Sequence, residues 1–222
     1  QYKYQINLCQ EHMLVAERLL AEEHQMPLFT MMATNAIEKG IDVVAGGAML
    51  NSGPHYMLTG VADMGDSLEV VKKLVYDDKV ISMDELLKAV EADFEGYEEI
   101  RQMCLNVPKY GNNIDEVDML TSKALQDCAE YCATLKCGRA GNYSSAGVQP
   151  TQTNVAMGEM CWALPSGRKA LTPLADTLSA EQHMDVNGPL AAIQSYGKIN
   201  HSACTNGTIL NMWISKTDLI AE

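Results

Sequence analysis

From residue 137 to residue 190 the helical periodicity of the preceding residues gives way to Gly, Ser, Thr, Pro and Asn. A connection this long without secondary structure of its own is uncommon inside a compact domain, and where it occurs it usually carries function. Its centre, CWALPSGRKALTPLAD at 161–176, holds two prolines, a glycine beside an arginine and an apolar run too short for an ordinary helix. It contains no evident nucleophile, base or metal cage. Pro165, Gly167 and Pro173 restrict the backbone there, and the planar fork of Arg168 is suited to pinning carbonyls or an acid. For Arg168, a salt bridge that holds structure is the expected role ahead of substrate contact. Ordered loops with short strands are the expected form of the region.

The helices come mostly before it. Apolar residues at Ile6, Leu8, Met13, Val15, Ala16, Leu19 and Leu20 predict a helix over 2–24. Pro27 breaks it, and a second helix is expected from Phe29 to Lys39, stopped by a left-handed Gly40. A glycine-rich stretch follows, with room for one strand near 56–60. It has neither GxxxxGK[ST] nor GxGxxG, so it is no phosphate loop. Asp66 or Ser67 is expected to cap a helix through Val75, and SMDE at 82–85 is a capping box. Further helices are predicted around 98–105 and 114–135, with a short one begun at Pro189. The alternation in TNGTILNMWIS predicts a strand from Thr208 to Ile214. The mixture is helix-rich α/β. The chain opens in the middle of a helical pattern and shows no terminal cap at its other end, so it is expected to be a piece of something longer.

Charge and cysteine usage exclude several classes. With 29 acidic against 16 basic residues the net charge is −13. That speaks against nucleic acid and against anionic membranes. No apolar run is long enough to span a bilayer, and the first residues lack the form of a signal peptide. Seven cysteines with no CxxC pair fit core or surface thiols better than a disulfide scaffold or a zinc site, so no metal is expected. Fourteen methionines fit an irregular core.

The loop blocks GIDVVAGGAMLNSGP, GVADMGDSLEVVKKLVYDDK, LNVPKYGNNIDEVD, NVAMG with ALPSGRKALTPLAD, DVNGPLAAIQSYGKINH and NGTILNM together resemble the glycyl radical enzymes. These are the relatives of pyruvate formate-lyase, glycerol dehydratase and choline trimethylamine-lyase. The resemblance runs over nearly the whole chain, with the blocks in family order. Four positions depart from the family pattern. Ser166 stands where an aspartate is usual, Met49 and Leu50 stand where Arg-Tyr or a similar pair is usual, and Gln149 stands where the diol-cleaving branch has a tyrosine. These departures bear on the substrate.

The resemblance implies an α/β fold that is part of a ten-stranded barrel, its parallel strands in two halves and surrounded by helices. Residues 1–222 would be one partial barrel domain with no internal boundary. A catalytic cysteine and a radical-bearing glycine would sit on loops outside this chain. Cys9 in CQE lies in a helical stretch and reads as a core or surface thiol. Gly141 in GRAGNY precedes blocks that the radical glycine follows. No catalytic residue is therefore expected in the chain. Substrate contacts are expected from Gln149, flanked by Val148 and Thr151, and from Asn35 near Met31, Met32 and Thr34, with Arg168, Gly167 and Pro165 as a structural loop. Core packing is the stronger reading for the methionines. His55, His183 and His201 read as satisfied surface histidines.

The implied activity is a lyase that eliminates or cleaves a bond in a small organic substrate after hydrogen abstraction by a thiyl radical. The aryl-acetate decarboxylase and formate acetyltransferase branches are alternatives, as is a non-catalytic scaffold derived from the barrel. The chain itself would bind no cofactor. A radical SAM activase, carrying an iron–sulfur cluster and S-adenosylmethionine, would install the radical elsewhere. The remainder of the enzyme, the activase, a small-molecule substrate and further copies of the protein are the implied partners, in an anaerobic cytoplasm.

Overall fold

A computed structural model describes residues 1–51, 53–138, 142–149 and 152–214. These form two compact units: residues 1–56, 127–147 and 203–206 make the first, and 57–126, 148–202 and 207 onward make the second.

The first unit opens with α1 (Tyr2–Glu23), followed by two short helices, α2 (Pro27–Met32) and α3 (Ala36–Lys39). The single helix expected over 29–39 is therefore broken. Ala33 is extended and Asn35 is left-handed at φ 69°, which no continuous helix accommodates. The cause lies in the next turn. The Asp42 carboxylate accepts from Thr30 Oγ1 at 2.7 Å, Met26 N at 3.0 Å and Val44 N at 3.0 Å, drawing α2 onto the loop that follows α3. The Thr30 hydroxyl, joined by those amides, holds the Asp42 carboxyl below its ordinary value. Gly40 caps α3 in the left-handed region, as its position in the sequence predicts. Two short strands, β1 (His55–Met57) and β2 (Ser145–Gly147), pair with each other.

Polar contacts hold this unit. Buried Gln10 of α1 donates to Lys136 O at 2.7 Å and accepts from Tyr56 OH at 2.6 Å and Ser144 Oγ at 3.0 Å. One turn pair further along, buried Glu17 accepts from Gly138 N at 2.9 Å.

The second unit contains α4 (Val61–Val70), which widens into π-type turns over Val71–Asp77, then α5 (Met83–Glu91), α6 (Glu98–Asn106), α8 (Thr153–Glu159) and α9 (Pro189–Gly197). Helix α7 (Asp115–Cys132) starts in the second unit and ends in the first. The α4 start is a correction to the sequence reading. The helix begins after left-handed Gly60, and Asp66 is buried within it instead of capping it. The capping box at Ser82 and Glu85 is present with both of its hydrogen bonds, and Pro189 opens α9. Val70, Leu74, Ile81, Leu86, Ala89, Phe94, Cys104, Val107 and Ala163 form the apolar core.

The strand expected over 208–214 does not form among the described residues. Thr208 makes one parallel bridge to Val148. Farther along, Leu178 N donates to Ile209 O and Asn211 N donates to Ser179 Oγ, so loop residues take the bonds that a ladder would have used. Conversely, α8 is a helix inside the region expected to be loops and strands.

Candidate functional site

The site is built on the turn Leu164–Arg168 in the second unit. Gly167 N donates to Leu164 O and Leu164 N to Arg168 O, each at 3.0 Å. Gly167 holds φ +97°, and a Cβ there would come within 2.9 Å of Leu105. Both constraints call for glycine.

Arg168, 7% exposed, turns its guanidinium back into the loop. Nη1 donates to Trp162 O at 3.0 Å, Nη2 to Gly158 O at 3.1 Å and to Thr172 O, and Nε to Pro173 O at 3.3 Å. Its charge faces Asp63 Oδ1 at 3.8 Å. One side chain thus ties the end of α8, the turn and the segment 172–173 together. Gly158 permits the closeness, since a Cβ there would lie 2.3 Å from Thr172 O.

Two further cations grip the same turn. Lys109 Nζ donates to Ser166 O at 2.8 Å, and Arg101 Nε donates to Gly167 O at 3.0 Å. Ser166 is fully buried, and its amide donates to Ser67 Oγ at 3.3 Å.

Beneath the turn lies a cluster that sequence reasoning missed. Asp63 and Asp66 of α4, Glu181, Lys109 and Arg168 are all buried. Asp66 Oδ1 accepts from Tyr110 N at 2.7 Å, and Asp63 Oδ2 accepts from Ala175 N at 2.8 Å. Burial raises the carboxyls of Asp63 and Asp66 and lowers the Lys109 ammonium. Burial, with the Asp63 charge next, pushes Glu181 up to about 7. A signal existed in the sequence: acids at 63, 66 and 69 recur every three residues, in phase with Ala62 and Val70 on the buried face of α4.

The four residues expected to contact substrate are placed as follows. Val148 is fully buried, its N donating to Gly207 O at 2.9 Å. Gln149 is half-buried with its amide over Gly207, where a Cβ would come within 2.4 Å of Gln149 Nε2. Glycine at 207 thus makes the seat for that amide. Thr151 lies outside the described residues, as do Pro150 and Gly141. Asn35 belongs to the first unit, half-buried and left-handed at the start of α3. Near it, Met31 and Met32 are 68% and 71% exposed. Within the described residues they do not pack in a core, contrary to the reading from sequence.

The histidines and thiols behave as ordinary side chains. His201 engages Thr208 Oγ1 at 2.7 Å and Tyr196 O at 2.8 Å through its two ring nitrogens. His55 Nδ1 meets Ser145 Oγ across β1 and β2, and His183 is exposed. Cys9 is an exposed thiol on α1. Among the described residues no group of three or more His, Cys, Asp or Glu is placed to hold a metal ion. No helix among them is long and apolar enough to cross a membrane.

Comparison with known proteins places this architecture. Residues 1–158 match the family model described as pyruvate formate lyase-like. The chain is 35% identical over 212 residues to trans-4-hydroxy-L-proline dehydratase of Clostridioides difficile, covering 95% of this chain and 26% of that protein. Its structure is similar to that of the glycerol-bound B12-independent glycerol dehydratase from Clostridium butyricum. There the TM-score is 0.87 and the identity 37%, covering 93% of this chain and 27% of the other. A glycyl radical enzyme from Archaeoglobus fulgidus is similar at TM-score 0.88 and 34% identity, over 94% of this chain and 26% of its own. The chain therefore spans about a quarter of the length of the relatives it matches. On these grounds it belongs to the pyruvate formate lyase-like family, among the glycyl radical enzymes.

Proposed function

We propose that these residues are the part of a glycyl radical lyase, built on a ten-stranded barrel, that walls and orients a small organic substrate during elimination. The observation that carries this reading is the likeness, over more than nine-tenths of the chain, to proteins whose names are those of dehydratases. The stored glycyl radical and the cysteine thiyl that abstracts hydrogen belong to residues beyond this chain and supply the radical chemistry.

What this chain contributes is position. A substrate C–H must be held near the abstracting group, with its leaving group toward a proton donor, by polar anchors on stiff backbone. Gln149 is such an anchor. Its backbone neighbour Val148 is bridged to Thr208, and its amide, seated over Gly207, can both donate and accept. Asn35 is the second proposed anchor and Thr151 the third. The Arg168 turn serves as a rigid brace. The proposed partner is a radical SAM activase with an iron–sulfur cluster and S-adenosylmethionine, acting in an anaerobic cytoplasm on a homo-oligomeric enzyme.

The test uses the whole protein with its activase. Gln149→Ala is expected to lower kcat/KM by about ten- to a hundredfold, the scale of losing one orienting contact. The glycyl radical signal in electron paramagnetic resonance is expected to stay at wild-type intensity. Unchanged turnover would remove Gln149 from the site, and a lost radical signal would place its role in structure instead of substrate orientation.

A further inference from the structure

The seat of Gln149 is held by hydrogen bonds that reach back to α9. The segment 207–209 clasps Val148 from both sides: Val148 N donates to Gly207 O at 2.9 Å, and Ile209 N donates to Val148 O at 3.1 Å. Thr208, in the middle of that clasp, makes the parallel bridge to Val148. Gly207 is left-handed at φ +95° beneath the Gln149 amide. Whatever fixes Thr208 therefore fixes the residue beside Gln149 and the floor under its side chain. The bridge is an isolated one. It lacks the neighbouring rungs that stiffen a sheet, so its rigidity must come from elsewhere.

Two side chains supply it. Thr208 Oγ1 lies 2.9 Å from Tyr196 OH and 2.7 Å from His201 Nδ1, and Tyr196 OH also reaches Thr208 O at 3.2 Å. The His201 ring packs on that of Tyr196, with centroids 4.3 Å apart, and its Nε2 lies 2.8 Å from Tyr196 O. Tyr196 stands in the last turn of α9, where its carbonyl also accepts from Ile199 N at 3.2 Å. A histidine at a helix C-terminus is suited to satisfying such a carbonyl.

The chemistry of the partners sets the direction of each bond. A carbonyl oxygen only accepts, so His201 Nε2 carries a proton and donates to Tyr196 O. In the neutral ring Nδ1 is then an acceptor and takes the Thr208 hydroxyl proton, while the hydroxyl oxygen accepts from Tyr196 OH. Each hydroxyl and each ring nitrogen has a partner. The bonds run one way, from the phenol through the threonine hydroxyl to the imidazole and back to the helix.

We propose that His201 is a positioning residue: through Thr208 it holds the seat formed by Val148 and Gly207, and so sets the angle of the Gln149 carboxamide. The proposal rests on Gln149 being the substrate anchor. His201 itself touches no substrate in this arrangement; it acts through the threonine.

His201 has two contacts, and two substitutions separate them. The asparagine amide lies where Nδ1 lies and can accept from Thr208, but is too short for Tyr196 O. The glutamine amide reaches the Nε2 position and can donate to Tyr196 O. In the whole protein with its activase, His201→Gln is expected to lower kcat/KM about five- to tenfold, the scale of one neutral hydrogen bond, with the glycyl radical signal unchanged. His201→Asn is expected to recover kcat/KM to within about twofold of wild type, on the same scale. An asparagine variant no better than the glutamine one would make His201 a cap on α9 and overturn the proposal. In a Gln149→Ala background, His201→Gln is expected to cost no more than about twofold further, because the group it positions is gone. An undiminished loss there also overturns it. Hydrogen exchange of the Val148 and Ile209 amides needs no turnover, and so separates this proposal from the reading it rests on. Faster exchange in His201→Gln than in wild type is expected, and unchanged exchange overturns the hold of His201 on the seat. Wild-type turnover in Gln149→Ala, beside that faster exchange, would instead overturn Gln149 as the anchor, and with it the catalytic part of the role given to His201.

Discussion

Helices α1 and α5 bury opposite kinds of side chain. In α5 the inward positions are Leu86 and Ala89, with Lys88 and Glu91 turned to water. In α1 the buried residues are Gln10 and Glu17, while Val15 and Leu19 are 60% and 51% exposed. Both helices carry apolar residues at helical spacing in the sequence, but only in α5 are they gathered sharply on one face. Helix α5 is therefore held by desolvated apolar surface, and α1 by directional hydrogen bonds to Lys136, Tyr56, Ser144 and Gly138. A pattern of apolar residues identifies a helix without saying what covers its apolar face.

If that contrast is right, truncating the apolar core should have the largest effect. Phe94 is fully buried in the second unit's core, and Phe94→Ala should cost about 3–5 kcal/mol. Local opening energies from native-state hydrogen exchange of α5 and α6 in the whole protein would read this. A loss below about 1 kcal/mol would erase the distinction between the two helices.

A middle-sized effect is expected at the polar joint of the first unit. Gln10→Leu keeps the volume but leaves Tyr56 OH, Ser144 Oγ and Lys136 O without that partner. The expected cost is about 1–3 kcal/mol, the penalty for stranded buried polar groups. It should appear as faster exchange in α1 and around residue 144. Tolerance of leucine there would mean that α1 is held by apolar contact after all.

The smallest effect should come from the exposed stripe. Leu19→Ser removes apolar surface already facing out of the unit, so opening of α1 should change by no more than about 0.5 kcal/mol. A cost near that of Phe94→Ala would show that in the whole protein another segment covers this stripe, which would recast α1 as a core helix.

The candidate site divides along the same line. Its rigid parts were legible because their causes are local. Gly167 beside Arg168, bracketed by Pro165 and Pro173, announces a restricted turn, and pinned carbonyls are what a buried guanidinium does with such a turn. Glu181 and Lys109 were not legible. They lie far apart in the chain, Glu181 stands in none of the quoted blocks, and nothing in the block LNVPKYGNNIDEVD marks Lys109 as a buried charge. Asp66 was misread as a cap because a short polar side chain ahead of an apolar run has that meaning in isolation. Its role became visible only with Tyr110 N at 2.7 Å.

By itself the sequence determined the helix starts at Ser82 and Pro189, the stop at Gly40 and the family of the chain. Capping, fixed φ and left-handed glycine act within a few residues and need no partner from elsewhere. Only the tertiary structure decided that Thr208 would meet Val148 without building a strand, and that Asp42 would break the helix over 29–39. It alone buried three carboxylates against two cations beneath one turn. Strand pairing and desolvation are long-range events, whose energies depend on what the rest of the chain brings alongside.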